Sequence, residues 1–294
     1  MQNDELHGLI VPVITPLDNE DRVDESSFRK VIRFLKKAGV HGLFVGGSAG
    51  EGPLLTLTEW TRMVEIAFSE VNGEIFLLGG VMDTSSPRVL EKIKILAQIG
   101  YRNFVVTPTF YLPATQPDSQ LKLFGQCYEA RRQMQMILYN IPGCVGTEIA
   151  VDTMCQAARH GWIRFCKESS GNMLYFKTLV MKGAEVGLKV LQGDEATMVQ
   201  GLLAGACGIV PVCANFEPET YLRAYQAAQK PDLKELARLD RRILDNRQKV
   251  PLSGPFWLSG IKYRVSKMGL ASEKTISPLP QTTAEQKQKI DEFI

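Results

Sequence analysis

Apolar residues along this chain follow two alternating periods. Short continuous apolar runs, the mark of strands buried on both faces, alternate with stretches in which apolar residues return every three or four positions, the mark of amphipathic helices. Leu9–Ile14 is a first strand, followed by the turn-rich Thr15–Asp21. Ser27–Ala38 puts Phe28, Val31, Ile32, Phe34 and Leu35 on one helical face, and Gly39 is placed to end it. Val40–Val45 is a second strand running into Gly46-Gly-Ser-Ala-Gly-Glu-Gly-Pro53, with Thr58 as N-cap of a helix to Val71. The pairing then repeats: strand Ile75–Leu78 with helix Pro87–Ile99, Phe104–Thr107 with Ser119–Arg131, and Met136–Tyr139 with Val151–Arg159. Strand Ile163–Cys166 is followed by a helix from Asn172 to Met181, Lys189–Leu191 by a helix to Leu203, and Gly208–Val212 closes the series.

Eight such alternations in about 220 residues predict an α/β fold, a closed (β/α)8 TIM barrel, over residues 1–216. After Glu217 the strand signal stops. Glu217–Gln229, Asp232–Arg247 and Phe256–Met268 read as helices, broken by Lys230-Pro231 and Pro251–Pro255, so residues 217–294 form a C-terminal helical segment packed on the barrel.

Composition narrows the function classes. The 294 residues are 45% apolar and 22% charged, ordinary for a protein with a sizeable core. A net charge of +2 gives no reason to expect nucleic acid or an anionic membrane as partner. No apolar run approaches the roughly 20 residues of a membrane span, and the polar, acidic start Met1–His7 carries no secretory pattern. Six cysteines without a C-x-x-C pair and three scattered histidines predict a reduced, cytoplasmic, metal-free protein.

In a barrel the reacting groups sit at the C-terminal ends of strands and in the loops that follow. Those ends carry Gly47-Ser48, Phe110-Tyr111, Tyr139, Lys167 and Gly193-Asp-Glu195. An ammonium at the end of a buried strand costs desolvation energy unless it is paired or deprotonated, and a lysine with a lowered pKa attacks carbonyls to form a Schiff base. The default for such a lysine is a solvated or ion-paired side chain. What favours chemistry is the company of a phenol that can pass protons, and of a glycine-rich turn whose N–H groups can hold the carboxylate of a 2-oxo acid. The same turn, Gly46-Gly-Ser48-Ala-Gly50, also matches the G-x-S-x-G elbow of serine hydrolases. Against that reading, Gly50–Pro53 points to a loop rather than a helix, and His160 is the only histidine beyond Ser48.

Three motifs then converge. Gly47-Ser-Ala-Gly-Glu51, Tyr139-Asn-Ile-Pro142 and Lys167-Glu-Ser-Ser-Gly171 occur in order at strand ends, and the chain resembles the dihydrodipicolinate synthase/N-acetylneuraminate lyase family of pyruvate-type class I aldolases. The resemblance spans essentially the whole chain, the helical C-terminal segment included. It implies that Lys167 forms the Schiff base with pyruvate or a pyruvate-derived 2-oxo acid, without any other cofactor. It implies that Tyr139 relays protons, that Ser48 hydrogen-bonds this tyrosine, and that the N–H groups of Ser48 and Ala49 bind the carboxylate. Gly47, Gly193, Ser169 and Val210 would line the same pocket, with Val210 contributing its backbone carbonyl. A homotetramer is implied as well, a dimer of dimers with its tight interface around the Phe110–Tyr111 loop.

The departures are informative. Ala49 stands where the family often has a second hydroxyl residue. Phe110 aligns with a tyrosine that, in dihydrodipicolinate synthases, reaches the neighbouring subunit's active site; adjacent Tyr111 is the available substitute. Cys144 aligns with the arginine those enzymes use to hold the carboxylate of aspartate semialdehyde, and a cysteine cannot make that bidentate contact. The expected function is therefore a Schiff-base lyase or aldolase, a carbon–carbon or carbon–oxygen lyase. It joins or separates pyruvate, or another 2-oxo acid, and an aldehyde, with a 2-oxo-3-deoxy sugar acid as the candidate substrate. The alternatives are dihydrodipicolinate synthase or N-acetylneuraminate lyase activity, and a non-catalytic relative that binds a 2-oxo acid. Asp194 and Glu195 read either as ligands for sugar hydroxyls or as the acidic start of a helix.

Overall fold

The structure is a computed structural model that describes residues 5–230, 232–251 and 256–293. Eight parallel strands close into a barrel in sequence order: β1 Gly8–Pro12, β2 Gly42–Val45, β3 Phe76–Gly80, β4 Asn103–Val106, β5 Gln135–Asn140, β6 Ile163–Glu168, β7 Lys189–Gln192 and β8 Gly208–Ile209. The barrel closes where β1 pairs with β8, Gly8 level with Gly208 and Leu9 with Ile209. A Cβ on Gly208 would lie 2.5 Å from the Gly8 carbonyl oxygen, so the closing seam needs a residue without one.

Helices cover the outside: α1 Glu25–Ala38, α2 Leu57–Val71, α3 Ser86–Ile99, α4 Pro117–Ala130, the single turn α5 Pro142–Val145, α6 Val151–Arg159, α7 Met173–Ala184 and α8 Met198–Leu203. The C-terminal segment adds α9 Pro218–Gln229, α10 Leu233–Lys249, α11 Trp257–Lys267 and α12 Ala284–Asp291. Helix α9 packs on β1, α1 and α8, covering the closing seam. The expected breaks at Pro231 and within 252–255 lie outside the described residues.

Local chemistry explains the helix ends. The Asp24 side chain accepts from Ser27 N at the start of α1, and Gly39, at φ 85°, ends that helix in the left-handed conformation. Helix α2 is capped by Thr56, whose hydroxyl accepts from Glu59 N at 3.3 Å, not by Thr58, which already lies inside the first turn. Strand β8 is shorter than the apolar run to Val212. Pro211 has no N–H to donate, and the chain turns at Cys213–Asn215, where the Asn215 amide bonds Ile14 N and the Pro12 and Val212 carbonyls. Helix α12 was not expected from periodicity. It starts in a capping box between Thr283 and Gln286, a local signal present in the sequence.

Two apolar layers result. The larger lies between sheet and helices and includes Trp60, Phe28, Phe104, Phe124 and Phe176. The smaller fills the barrel with Ile10, Phe44, Val105, Ile137, Phe165 and Leu191. Each such side chain removed from water contributes about 1.5–3 kcal/mol. No helix among the described residues is long and apolar enough to cross a membrane.

Candidate active site

The site grows out of one strand pair. In β5, Met136 and Leu138 face the helices while Ile137 and Tyr139 face the barrel interior. Strand β6 starts level with it, Met136 opposite Ile163, but Ile137 then pairs with Phe165. Arg164 is one residue too many, extruded as a bulge with its side chain 58% exposed. The bulge makes Lys167, not Cys166, the partner of Tyr139, and makes Glu168 the partner of Asn140. The two motifs are thus a single feature, tied together next to Tyr139 and Lys167. Asn140 Nδ2 donates to Glu168 Oε1 at 3.2 Å, that oxygen also accepts from Ser170 N at 2.7 Å, and Asn140 Oδ1 accepts from Ile149 N at 2.9 Å.

Lys167 is buried, with 6% of its surface exposed. Its Nζ lies 4.2 Å from the centre of the Tyr139 ring and 5.1 Å from that of Phe44, and it forms no ion pair with a carboxylate among the described residues. Burial lowers its pKa from the ordinary lysine range to about 7, and the Cys144 and Glu195 side chains, which favour the cation, do not offset this. Near neutral pH roughly half the population therefore carries a free amine lone pair.

Tyr139 is buried as well, and burial pushes its pKa up; Ser169 opposes the shift, Cys144 and Glu168 add to it, and Ser48 opposes it. The phenol therefore holds its proton at neutral pH and enters any reaction as an acid. Ser169 Oγ lies near this phenol yet meets no partner in hydrogen-bond geometry, which leaves it buried and unpaired. Next to it stands Gly193, whose N–H donates to the Glu168 carbonyl at 2.7 Å. A Cβ there would collide with Ser169 Oγ and lie 2.7 Å from Lys167 Cε, so glycine leaves room for the lysine stem. Val210, 2% exposed, belongs to the barrel interior with Tyr139.

The glycine-rich stretch after β2 is a tight loop. Glu51 N donates to the Ser48 carbonyl and Gly52 N to the Gly47 carbonyl, both at 3.2 Å. The Thr15 hydroxyl donates to the Gly50 carbonyl at 2.6 Å. The N–H groups of Ser48 and Ala49 donate to no acceptor among the described residues, leaving two adjacent donors open. Glu51, in the left-handed region at φ 54° and 1% exposed, turns its carboxylate away into the C-terminal segment. It meets the buried Lys262 ammonium of α11 and accepts from Ile276 N at 2.8 Å. Neither tie was expected from the sequence. Glu51 stood in a motif, but its partner is 211 positions away.

The remaining candidates separate. Phe110 packs against the barrel interior, and the aromatic residue that projects is Tyr111, 87% exposed at φ 75°. Cys144 is exposed on α5, close enough to Tyr139 and Lys167 to act electrostatically on both. Of the acidic pair, Glu195 is buried and already engaged, accepting from Cys213 N at 3.0 Å and the Tyr221 hydroxyl at 2.8 Å. Asp194 accepts from the Thr197 hydroxyl at 3.0 Å and faces Arg247 at 3.8 Å, which fits the helix-start reading of this pair. His160 stacks on Trp162 ahead of β6, at the opposite end of the barrel from Ser48, so the serine hydrolase constellation does not form.

Comparison with known proteins identifies the family and the fold. The model of the dihydrodipicolinate synthetase family matches residues 5–294. The 4-hydroxy-tetrahydrodipicolinate synthase of Methanothermobacter thermautotrophicus is 31% identical over 77% of this chain and 81% of its own. An uncharacterised DapA-like lyase of Halobacterium salinarum is 28% identical over 93% of this chain and 88% of its own. The solved dihydrodipicolinate synthase of Bacteroides thetaiotaomicron superposes with a TM-score of 0.93 at 27% identity, covering 99% of both chains.

Proposed function

This chain belongs to the dihydrodipicolinate synthetase family, a family of pyruvate-dependent aldolases and lyases, and from that premise we propose that it cleaves or forms a C–C bond through a pyruvate Schiff base on Lys167. The observation that carries the reading is the Lys167 amine: buried, without an acidic partner, its pKa lowered to about 7, and level with the protonated phenol of Tyr139. In the cleavage direction the neutral amine attacks the C2 carbonyl of a 2-oxo acid. Tyr139 protonates the departing oxygen, and loss of water leaves an iminium. The C3–C4 bond then breaks, its electron pair moves into the iminium to give an enamine, and the C4 hydroxyl proton leaves through Tyr139 as the aldehyde forms. Protonation at C3 and hydrolysis release pyruvate and restore the amine. The open N–H groups of Ser48 and Ala49 suit the substrate carboxylate, and the unpaired Ser169 hydroxyl suits a substrate oxygen.

The aldehyde half is where this chain departs from a dihydrodipicolinate synthase. An exposed thiol at Cys144 offers no cation to a second carboxylate, and Glu195 is already occupied. Both support an aldehyde recognised by other contacts, such as the product of a 2-oxo-3-deoxy sugar acid. The exposed Tyr111 and Leu112 support a subunit contact at this loop, within a cytoplasmic homotetramer; sedimentation of the purified protein tests the oligomer. Borohydride reduction with pyruvate is expected to add a pyruvyl-derived mass to Lys167, and absence of that adduct would overturn the Schiff-base reading. Pyruvate release from a panel of 2-oxo-3-deoxy sugar acids then distinguishes an enzyme from a protein that only binds.

A further inference from the structure

The ion pair between Glu51 and Lys262 lies outside the strand ladder that closes the barrel, and burying it costs desolvation energy. Both side chains are fully buried. A buried pair of this kind is often no more stabilising than two apolar side chains of the same volume, so stability alone does not explain it. Its location does. Glu51 follows directly on the loop that offers the Ser48 and Ala49 N–H groups, and its own N–H closes that loop on the Ser48 carbonyl. Its backbone is held at φ 54°, a conformation that costs a non-glycine residue energy unless the surroundings enforce it.

The enforcing contacts come from the C-terminal segment. One Glu51 oxygen takes the Lys262 ammonium and the other takes Ile276 N at 2.8 Å. Lys262 is fixed in turn by the Lys274 carbonyl at 2.7 Å and by its place in the middle of α11. A charge-assisted arm between rigid elements sets a direction and a length that an apolar contact does not. We propose that Lys262 is a positioning residue for the substrate carboxylate: through Glu51 it holds the Ser48–Ala49 backbone so that both N–H groups point at one place. The C-terminal helical segment is then part of the substrate-binding apparatus. This rests on the lyase reading above.

The test separates positioning from stability. In Glu51→Gln/Lys262→Met the charges are removed together, so the protein keeps its fold, but the arm is gone. Borohydride trapping at Lys167 is followed against the concentration of pyruvate and, in parallel, of acetone, which has the carbonyl but no carboxylate. The half-saturating pyruvate concentration is expected to rise about tenfold, the worth of one misdirected charge-assisted hydrogen bond, while trapping with acetone stays within about twofold. Unchanged pyruvate dependence, or an equal loss for both carbonyls, would overturn the proposal. Glu51→Asp provides a second arm if the double variant does not fold. It keeps both charges but shortens the link, and the same pyruvate-selective loss is expected. Failure of the wild type to trap pyruvate at all would instead count against the lyase reading.

Discussion

Two of the buried lysines among the described residues, Lys262 and Lys167, have opposite surroundings. Lys262 is enclosed by a carboxylate and a carbonyl oxygen, while Lys167 faces two aromatic rings and has no acid within ion-pairing distance. Burial pulls the pKa of both down; for Lys262 the Glu51 carboxylate works against that pull, whereas for Lys167 the pKa comes to rest at about 7. The same residue type is thus ion-paired in one place and, on the function proposed here, a nucleophile in the other. What distinguishes them is the partner. A buried lysine denied a counter-charge is costly for the fold, and the amine it yields is what carbonyl chemistry needs.

The contrast is tested most severely by making one substitution at both positions. Lys167→Met is expected to abolish trapping by pyruvate and all turnover, without lowering the melting temperature, because it replaces an unpaired buried amine with an apolar side chain of similar size. Lys262→Met is expected to lower stability instead, and to keep trapping at Lys167, though at a higher pyruvate concentration. It leaves the Glu51 carboxylate buried without its cation, which costs about 3–5 kcal/mol in denaturant unfolding, and Glu51→Gln in the same chain recovers most of that. A Lys167→Met protein that unfolds easily, or a Lys262→Met protein as stable as wild type, would break the distinction.

A smaller effect sharpens the geometry around the Lys167 amine. Gly193→Ala puts a methyl group against Ser169 Oγ and the Lys167 stem. Displacing the amine by a fraction of an ångström to an ångström is expected to slow adduct formation by about a hundredfold. Circular dichroism should stay unchanged, since the strand ladder at Gly193 N is kept. Adduct formation at the wild-type rate would show that Lys167 has more freedom than its packing indicates.

Much of the candidate site's layout could be read from the sequence because its parts are local. Lys167 and Tyr139 each end an apolar run, and in a parallel barrel such ends meet on one rim. The bulge at Arg164, which brings these two residues level, could not be read, since it depends on the register between neighbouring strands. The Glu51–Lys262 pair was hidden for a related reason. Periodicity marks which face of α11 is buried, but a lysine on that face is ambiguous until its partner from a distant loop is known. The Phe110–Tyr111 loop shows the limit of motif alignment. Adjacent aromatic residues satisfy the same pattern, and only packing decides that Phe110 lies against the barrel interior and Tyr111 projects.

The smallest effect concerns pH, and it bears on Lys167 alone. Its folded-state pKa of about 7 lies below the 10.5 of an ordinary lysine. The rate of adduct formation should therefore rise with pH and level off above about 7, falling about tenfold for each unit below it as the amine protonates. Stability should respond in the same direction. Between about 7 and 10.5 the unfolded chain binds a proton at this lysine that the folded chain does not, so unfolding free energy rises with pH across that window through this group. Lys167→Met lacks this titration, so its stability advantage over the wild type should narrow as pH is raised from 7 to 10. Parallel unfolding curves at both ends of that range, with no change in the gap, would mean that Lys167 carries its proton in the folded state. The difference between the two buried lysines would then lie in geometry rather than in charge.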